Sequence, residues 1–435
     1  MNDADSRLLT PLLRDAVKPV AYGRIAEASA TQIEAFLDGA RVGDLVEVNC
    51  NGSKVAGAVT GFRGDRALVQ PFSDLRGLEV GARVRRKGTL AETIAGEALL
   101  GRIIDPFGRP LDGKPAPTVK DRMPVDAEGP PLGARRSVDQ RLDTGVRAID
   151  ALLTLGRGQR VGIFAGAGVG KTVLMRQILD QSNADITVVG LIGERGCEVH
   201  DLLVSNGMSK SIVVAATSDR SPLERARGAQ VATAIAEYFR DRGKHVLLVI
   251  DSLTRYCMAL REIGLAAGEL PATKGYPPSV FAIMPKLLER VAPLNGGGSI
   301  TGIYTVLVEG DELSDPVADS ARSLLDGHIV LSRSLAERGH FPAVDLLSST
   351  SRVLQKVTTP DAQQIIGKAR RLIATRREVE ELRSLGAYTP GTHAPYDEAL
   401  AFGDRFDGWA RQHSHERSDY VSTMQALGKA IGNAA

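Results

Sequence analysis

Aromatic side chains are scarce in this sequence: Phe, Trp and Tyr make up 4% of 435 residues, with one tryptophan. A protein that stacks successive bases along a single nucleic-acid strand needs more than that. Net charge is also small, +2 at neutral pH, so no global field marks the chain for nucleic acid or an anionic membrane. Cys50, Cys197 and Cys257 are the only cysteines, scattered and without metal-ligand spacing. A disulfide framework wants an even set, and reduced cytosolic thiols are the expectation. No apolar run nears the ~20 residues that span a bilayer, and no signal peptide opens the chain. Any membrane contact is expected to be peripheral.

What is present is a soluble globular profile, 43% hydrophobic and 24% charged, in a chain too long for one core. Residues 1–20 read as a short amphipathic docking segment with Leu8, Leu9, Leu12 and Leu13 on one stripe. Residues 21–88 carry short apolar runs such as "LVEVNC" and "KVAGAVTGF" between close turn signals, the texture of a small β-barrel. A Gly- and Pro-rich stretch to about residue 145 reads as an extended connector. Strands and helices then alternate, and "QRVGIFA", "DITVVGLIG", "SIVVAAT", "HVLLVID" and "TGIYTVLV" are apolar throughout. Such strands belong to a mostly parallel sheet covered on both faces. Ser221-Pro222-Leu223-Glu224 supplies a capping box for the helix between two of them. From about residue 359 the chain is helical and polar. The expected division is a docking segment 1–20, a barrel 21–88, an α/β nucleotide domain 89–358 and a helical domain 359–435.

The chemistry is concentrated in "FAGAGVGKT", residues 164–172. It is a Walker A loop whose first glycine is replaced by Ala165. Gly166, Ala167, Gly168, Val169 and Gly170 would wrap their N–H groups around phosphate, with Val173 in the helical turn beyond. Lys171 would neutralise phosphate charge and the Thr172 hydroxyl would ligate Mg2+. Ala165 is harmless if its φ is negative. Asp251 ends "HVLLVID" and suits either a helix cap or a carboxylate holding Mg2+ through water. Glu194, in "LIGERGCEV", could orient or deprotonate an attacking water, with Arg195 touching phosphate or bracing it. The alternative is a surface Glu–Arg pair. Arg352, in "SSTSRVL", could reach a neighbour's γ-phosphate in a ring or be an ordinary surface arginine; the residues alone do not choose.

Together these stretches resemble the ring-forming ATPases of bacterial type III export systems, flagellar and injectisome, themselves similar to the catalytic subunit of rotary ATP synthases. The resemblance is carried by "LDTGVRAID", "GRGQRVGIFAGAGVGKT", "IGERGCEV", "DSLTRY", "GYPPSVFAIMPKLLERV" and the long block "YTVLVEGDELSDPVADSARSLLDGHIVLSR". It covers most of residues 20–412. It implies an N-terminal β-barrel, a central RecA-like P-loop domain with a mostly parallel sheet, and a C-terminal helical domain. It also implies MgATP hydrolysis, with Glu194 as the catalytic carboxylate, Arg352 as the finger and Phe341 packing on adenine. The implied partners are further copies in a homohexamer, a central stalk, peripheral stator or regulator proteins, chaperone–substrate complexes and an inner-membrane export gate. The implied place is the cytoplasmic side of that membrane, with no nucleic acid involved. Cys197 departs from the family, which commonly has arginine there.

Three other readings compete. A rotary synthase subunit lacks support because the Arg-rich "GERTREGND" loop is absent. A hexameric RNA helicase would need a richer aromatic surface than Tyr22, Phe36, Phe62 and Phe72. A non-hydrolysing scaffold is disfavoured by Glu194. By pattern, the block from 304 to 333 and "PKLLERV" favour an injectisome over a flagellar system.

Overall fold

The computed structural model describes residues 22–29, 31–50, 53–198, 208–308 and 315–432. The expected docking segment 1–20 lies outside them. The chain divides into two compact units that part between Glu92 and Thr93, with Ile263–Glu269 grouped with the first.

The first unit is a closed antiparallel barrel. Its strand order is Tyr22–Ala28, Ile33–Phe36, Arg66–Pro71, Ser53–Arg63, Asp44–Cys50, Arg83–Thr89. Alternation sets its inside: Val46, Val48 and Cys50 point inward from one strand and meet Ile25, Ile33, Val55, Val69 and Val84. The turn "RGDR" closes the hairpin through Gly64 at φ 60°, a conformation that favours glycine. Closure leaves no edge strand to cap.

The second unit is built on an eight-stranded sheet. Its order is Val344–Ser351, Gly327–Leu331, Arg160–Ala165, Ser299–Leu307, His245–Asp251, Ile186–Ile192, Ser211–Ala216, Arg102–Ile104. Every pairing is parallel except the first. The strands Ile186–Ile192 and His245–Asp251 are buried along their whole length, as continuous apolar runs between two helical layers must be. The helix Pro222–Arg240 begins with the expected capping box: Glu224 N donates to Ser221 Oγ at 3.3 Å, and Ser221 N donates to the Glu224 carboxylate at 3.1 Å. Three C-terminal helices, Pro360–Ser384, Ala394–Ala410 and Tyr420–Gly432, bury Ala369, Phe402 and Leu427 in one core with Ile149, Leu152 and Met175.

Three elements go beyond the sequence reading. Arg102–Ile104 lies in the stretch expected to be a plain connector, yet it extends the sheet beside Ser211–Ala216. Three residues are too few to give a periodic signal. Val344–Ser351 is an edge strand whose serines and aspartate mask its alternation. The helix Tyr420–Gly432 was not expected either, although Asp419 caps it, its carboxylate accepting from Ser422 N at 3.0 Å.

Candidate nucleotide site

Ala165 is the last residue of the strand Arg160–Ala165 and is 1% exposed. Its carbonyl accepts a hydrogen bond from Val308 N at 3.1 Å, so the strand continues through it and its methyl faces the core. Among the described residues only Lys274 is a non-glycine with positive φ, so the alanine carries no left-handed strain. Gly168 and Gly170 do adopt left-handed backbone, at φ 78° and 91°, whereas Gly166 does not. Two glycines, not three, therefore require the missing Cβ on conformational grounds. Ala167 is exposed and Val169 is buried, anchoring the loop from beneath. The helix Lys171–Gln181 begins at once, and Leu174 N to Gly170 O at 3.0 Å is its first bond. The N–H groups of Lys171, Thr172 and Val173 precede it, so they are free of intrahelical partners and add to the positive helix end. Thr172 and Val173 are exposed.

The Lys171 ammonium is drawn toward two carboxylates. Nζ donates to Asp251 Oδ1 at 2.6 Å and lies 3.8 Å from Glu194 Oε1. Asp251 is fully buried at the end of its strand, and the hydroxyl of Thr305, on the neighbouring strand, donates to the same Oδ1. Glu194 stands two residues past the strand Ile186–Ile192, 9% exposed. Its carbonyl accepts from Ser218 N at 3.1 Å, and the turn before it is made by Gly193 at φ 71°. Burial, and then the Asp251 charge, raise the Glu194 pKa above the ordinary carboxylate value; Lys171 and Arg255 oppose this. Such a carboxylate is closer to the range of a working base.

Two buried oxygens here, Asp251 Oδ2 and Glu194 Oε1, have no hydrogen-bond partner. Buried acceptors left open are costly, and the water shell of a bound cation or an attacking water would supply the missing donors. The residues thus fit Mg2+-nucleotide: Thr172 and Asp251 on the cation side, the loop N–H groups and Lys171 on the phosphate side.

Phe341 is brought to this loop from far along the chain. Its ring is 45% exposed, and a Cβ on Gly170 would lie 3.4 Å from its edge. A cleft of about 380 Å3 runs on along the helix, lined by Thr172, Val173, Arg176, Ser414 and His415.

Arg352 is not brought to the loop. It follows the antiparallel strand Val344–Ser351, and its N–H donates to Asp326 O at 3.0 Å. Asp326 N in turn donates to Arg160 O. Arg352 therefore lies at the amino edge of the strand whose carboxyl end opens the loop, five residues or about 17 Å away, and it is exposed. Arg195 is exposed too, its carbonyl accepting from Glu198 N. Arg255, which the sequence reading passed over, is the arginine whose charge bears on Glu194 and whose stem packs against Gly193. Thr305 was also missed. The signal for both was positional: Arg255 falls in the first turn after Asp251, and Thr305 near the end of an adjacent strand. Cys197 is exposed in the segment just after Glu194.

A phosphate-wrapping loop between a buried strand and a helix, with carboxylates at the ends of two neighbouring parallel strands, defines a P-loop nucleotide hydrolase of the RecA-like kind. Three family signatures match: the ATP synthase alpha/beta family β-barrel domain over residues 33–88, its nucleotide-binding domain over 145–351, and the T3SS EscN ATPase C-terminal domain over 358–429. The chain is 46% identical to the flagellum-specific ATP synthase of Salmonella typhimurium over 423 residues, 93% of this chain and 92% of that one. It is 45% identical to the type 3 secretion system ATPase of Xanthomonas euvesicatoria over 412 residues, 93% of each. The structure of the assembled ATPase EscN from enteropathogenic E. coli superposes with a TM-score of 0.89 at 44% identity, covering 94% of this chain and all of that one. EscN in complex with its central stalk EscO gives 0.87 at 43%, with the same coverage. The chain belongs to the family of type III secretion and flagellar export ATPases, and it is an ATP hydrolase.

Proposed function

We propose that this ATPase works as a homohexameric ring that hydrolyses MgATP between subunits to release chaperones from export substrates and unfold those substrates for a type III apparatus. The observation that carries the ring is the split of the machinery. Lys171, Thr172, Glu194 and Asp251 cluster at one edge of the sheet, while Arg352 is exposed at the other. A site that needs both must draw the arginine from a second copy. The assembled EscN relative supports this, and its complex with EscO supports a central stalk as partner. Peripheral stator or regulator proteins and an export gate at the inner membrane complete the proposed surroundings. Among the described residues no helix is long and apolar enough to cross a membrane.

The geometry supports the following residue roles. The Lys171–Val173 N–H groups and the loop backbone around left-handed Gly168 and Gly170 hold the phosphates. Lys171 leaves Asp251 for the β- and γ-phosphates, and the freed Asp251 joins Thr172 on the cation side. Bound Mg2+, held by Thr172 and, through water, by Asp251, would neutralise charge on the phosphate chain. Glu194 orients and accepts a proton from the attacking water, a role worth about 10²–10⁴ in rate. Arg195 would follow the phosphate or brace Glu194. Arg352 of the neighbouring copy stabilises charge on the transferring phosphoryl group, worth about 10³ or more. Phe341 offers a face for adenine.

Turnover of ATP by the purified chain, compared with Lys171→Ala and Glu194→Gln, tests this. Equal turnover by wild type and Glu194→Gln would remove the carboxylate from its proposed role. The injectisome preference rests on the 304–333 block, since flagellar and secretion relatives stand at 46% and 45% identity. A Glu194→Gln strain that keeps motility but loses export of injected proteins would support it; loss of motility alone would reverse it.

A further inference from the structure

We infer that Gln412 is a positioning residue for the base-side wall of the nucleotide site; this rests on the ATP-hydrolysing reading above. Gln412 follows the helix Ala394–Ala410 by two residues and is 5% exposed. Its backbone N–H and both polar atoms of its side chain are used. Its backbone N–H donates to the Phe341 carbonyl at 2.9 Å. Its Oε1 accepts from Arg147 N at 2.8 Å. Its Nε2 donates to Gly145 O at 2.7 Å and to Glu416 O at 2.9 Å. One side chain thus ties together segments more than 260 residues apart in sequence.

What it ties is the rim of the cleft. The turn at 413–416 carries Ser414 and His415, which line the cleft beside Thr172 and Val173. The same turn is held by Gln181, in the last turn of the phosphate-binding helix, whose Nε2 donates to Ser414 O at 3.2 Å and Glu416 O at 3.1 Å. Arg147 adds an ion pair to Glu416 at 2.8 Å. Phe341, half exposed, is tied into this frame through its carbonyl. Its carbonyl bond to the Gln412 backbone N–H joins the ring beside Gly170 to the segment that leads into the 413–416 turn lining the cleft. A flat heteroaromatic base on the Phe341 ring gains by stacking only if the ring and the turn beside the loop keep a fixed relation.

None of these bonds involves Lys171, Glu194 or Asp251. Losing the Gln412 side chain should therefore weaken capture of the base and leave phosphate chemistry intact. Gln412→Met keeps length and packing while removing three side-chain bonds; Gln412→Ala removes packing as well. Steady-state ATP hydrolysis by the full chain is measured for both, with ADP and inorganic pyrophosphate as competing inhibitors. For Gln412→Met the KM for ATP and Ki for ADP rise about fivefold to tenfold. Its kcat stays within about twofold, and Ki for pyrophosphate is unchanged. Equal weakening of ADP and pyrophosphate, or a kcat loss at constant KM, would overturn the inference. If Gln412→Ala fails to fold, Gln412→Met decides alone. If wild-type turnover is insensitive to Glu194→Gln, the functional reading has failed; if it is sensitive and Gln412→Met matches wild type, only the positioning role has failed.

Discussion

The Lys171 ammonium lies 2.6 Å from a carboxylate oxygen of Asp251, and both groups are nearly or fully buried. The nucleotide-binding lysine is therefore also the internal counter-ion of the cation-side carboxylate. Removing it leaves Asp251 charged, buried and unpaired, which costs about 3–5 kcal/mol in comparable pairs. Lys171→Ala should lose activity and also unfold at lower urea. Lys171→Met combined with Asp251→Asn should recover most of that stability and none of the activity. Equal urea midpoints for wild type and Lys171→Ala would show that the pair contributes no stability.

Gly170 and Ala165 make a contrasting pair at the two ends of the loop. Gly170 has φ 91°, and a methyl there would lie 3.4 Å from Phe341. An alanine costs roughly 1–2 kcal/mol in that backbone region or flips the loop and turns its N–H groups away from phosphate. Gly170→Ala should raise KM for ATP at least about tenfold. Ala165→Gly should leave KM within about twofold, since the position is plain strand, and lower stability by about 1 kcal/mol. A large KM change for Ala165→Gly would mean that the methyl has a role in the loop.

These residues also show how far the sequence could be read. The phosphate loop, Glu194 and Asp251 were legible because each sits at a strand end marked by an apolar run, and the chain-order pattern of strand and helix puts such ends on one edge. The barrel was legible as a class, yet the strand Arg83–Thr89 was not, because "RVRRKGT" is half exposed and basic. Gln412, Ser414 and His415 were invisible for a different reason. They reach the site by the packing of the C-terminal helices, and no local motif records that. Arg352 was legible only as a choice between two readings; its place at the far edge of the sheet required the antiparallel pairing of Gly327 with Ser351.

His245 gives a pH test of the sheet. It is 4% exposed, its Nδ1 lies 2.7 Å from Ser299 Oγ, and its Nε2 has no partner. Burial, aided by the Arg157 charge, lowers its pKa to about 4. A histidine with a depressed folded pKa contributes stability above its unfolded value of about 6.5, and that stability is lost as pH falls toward the folded value. The unfolded chain binds the extra proton in that window, so unfolding becomes easier by up to about 3 kcal/mol between pH 6.5 and 4. Urea unfolding at pH 7 and pH 5 should show a smaller difference for His245→Asn than for wild type. Identical differences would show that this histidine does not set the acid limb.

Arg352 allows the ring itself to be tested by mixing. In one chain the arginine and the phosphate loop stand at opposite edges of the sheet, about 17 Å apart along the strand Arg160–Ala165. An Arg352→Ala subunit keeps an intact Lys171–Glu194–Asp251 cluster but offers no finger to its neighbour. A Glu194→Gln subunit offers the finger but cannot use its own site. Each alone should be nearly inactive. In a random one-to-one mixture about a quarter of the interfaces pair a good cluster with a good arginine, so hydrolysis should reappear on mixing and reach about a quarter of wild type. The same gain should be absent when Arg352→Ala is mixed with the Arg352→Ala, Glu194→Gln double variant, which restores nothing. If the arginine acted within its own chain, neither mixture would recover activity. Recovery specific to the first mixture requires that the two residues meet across a boundary between copies.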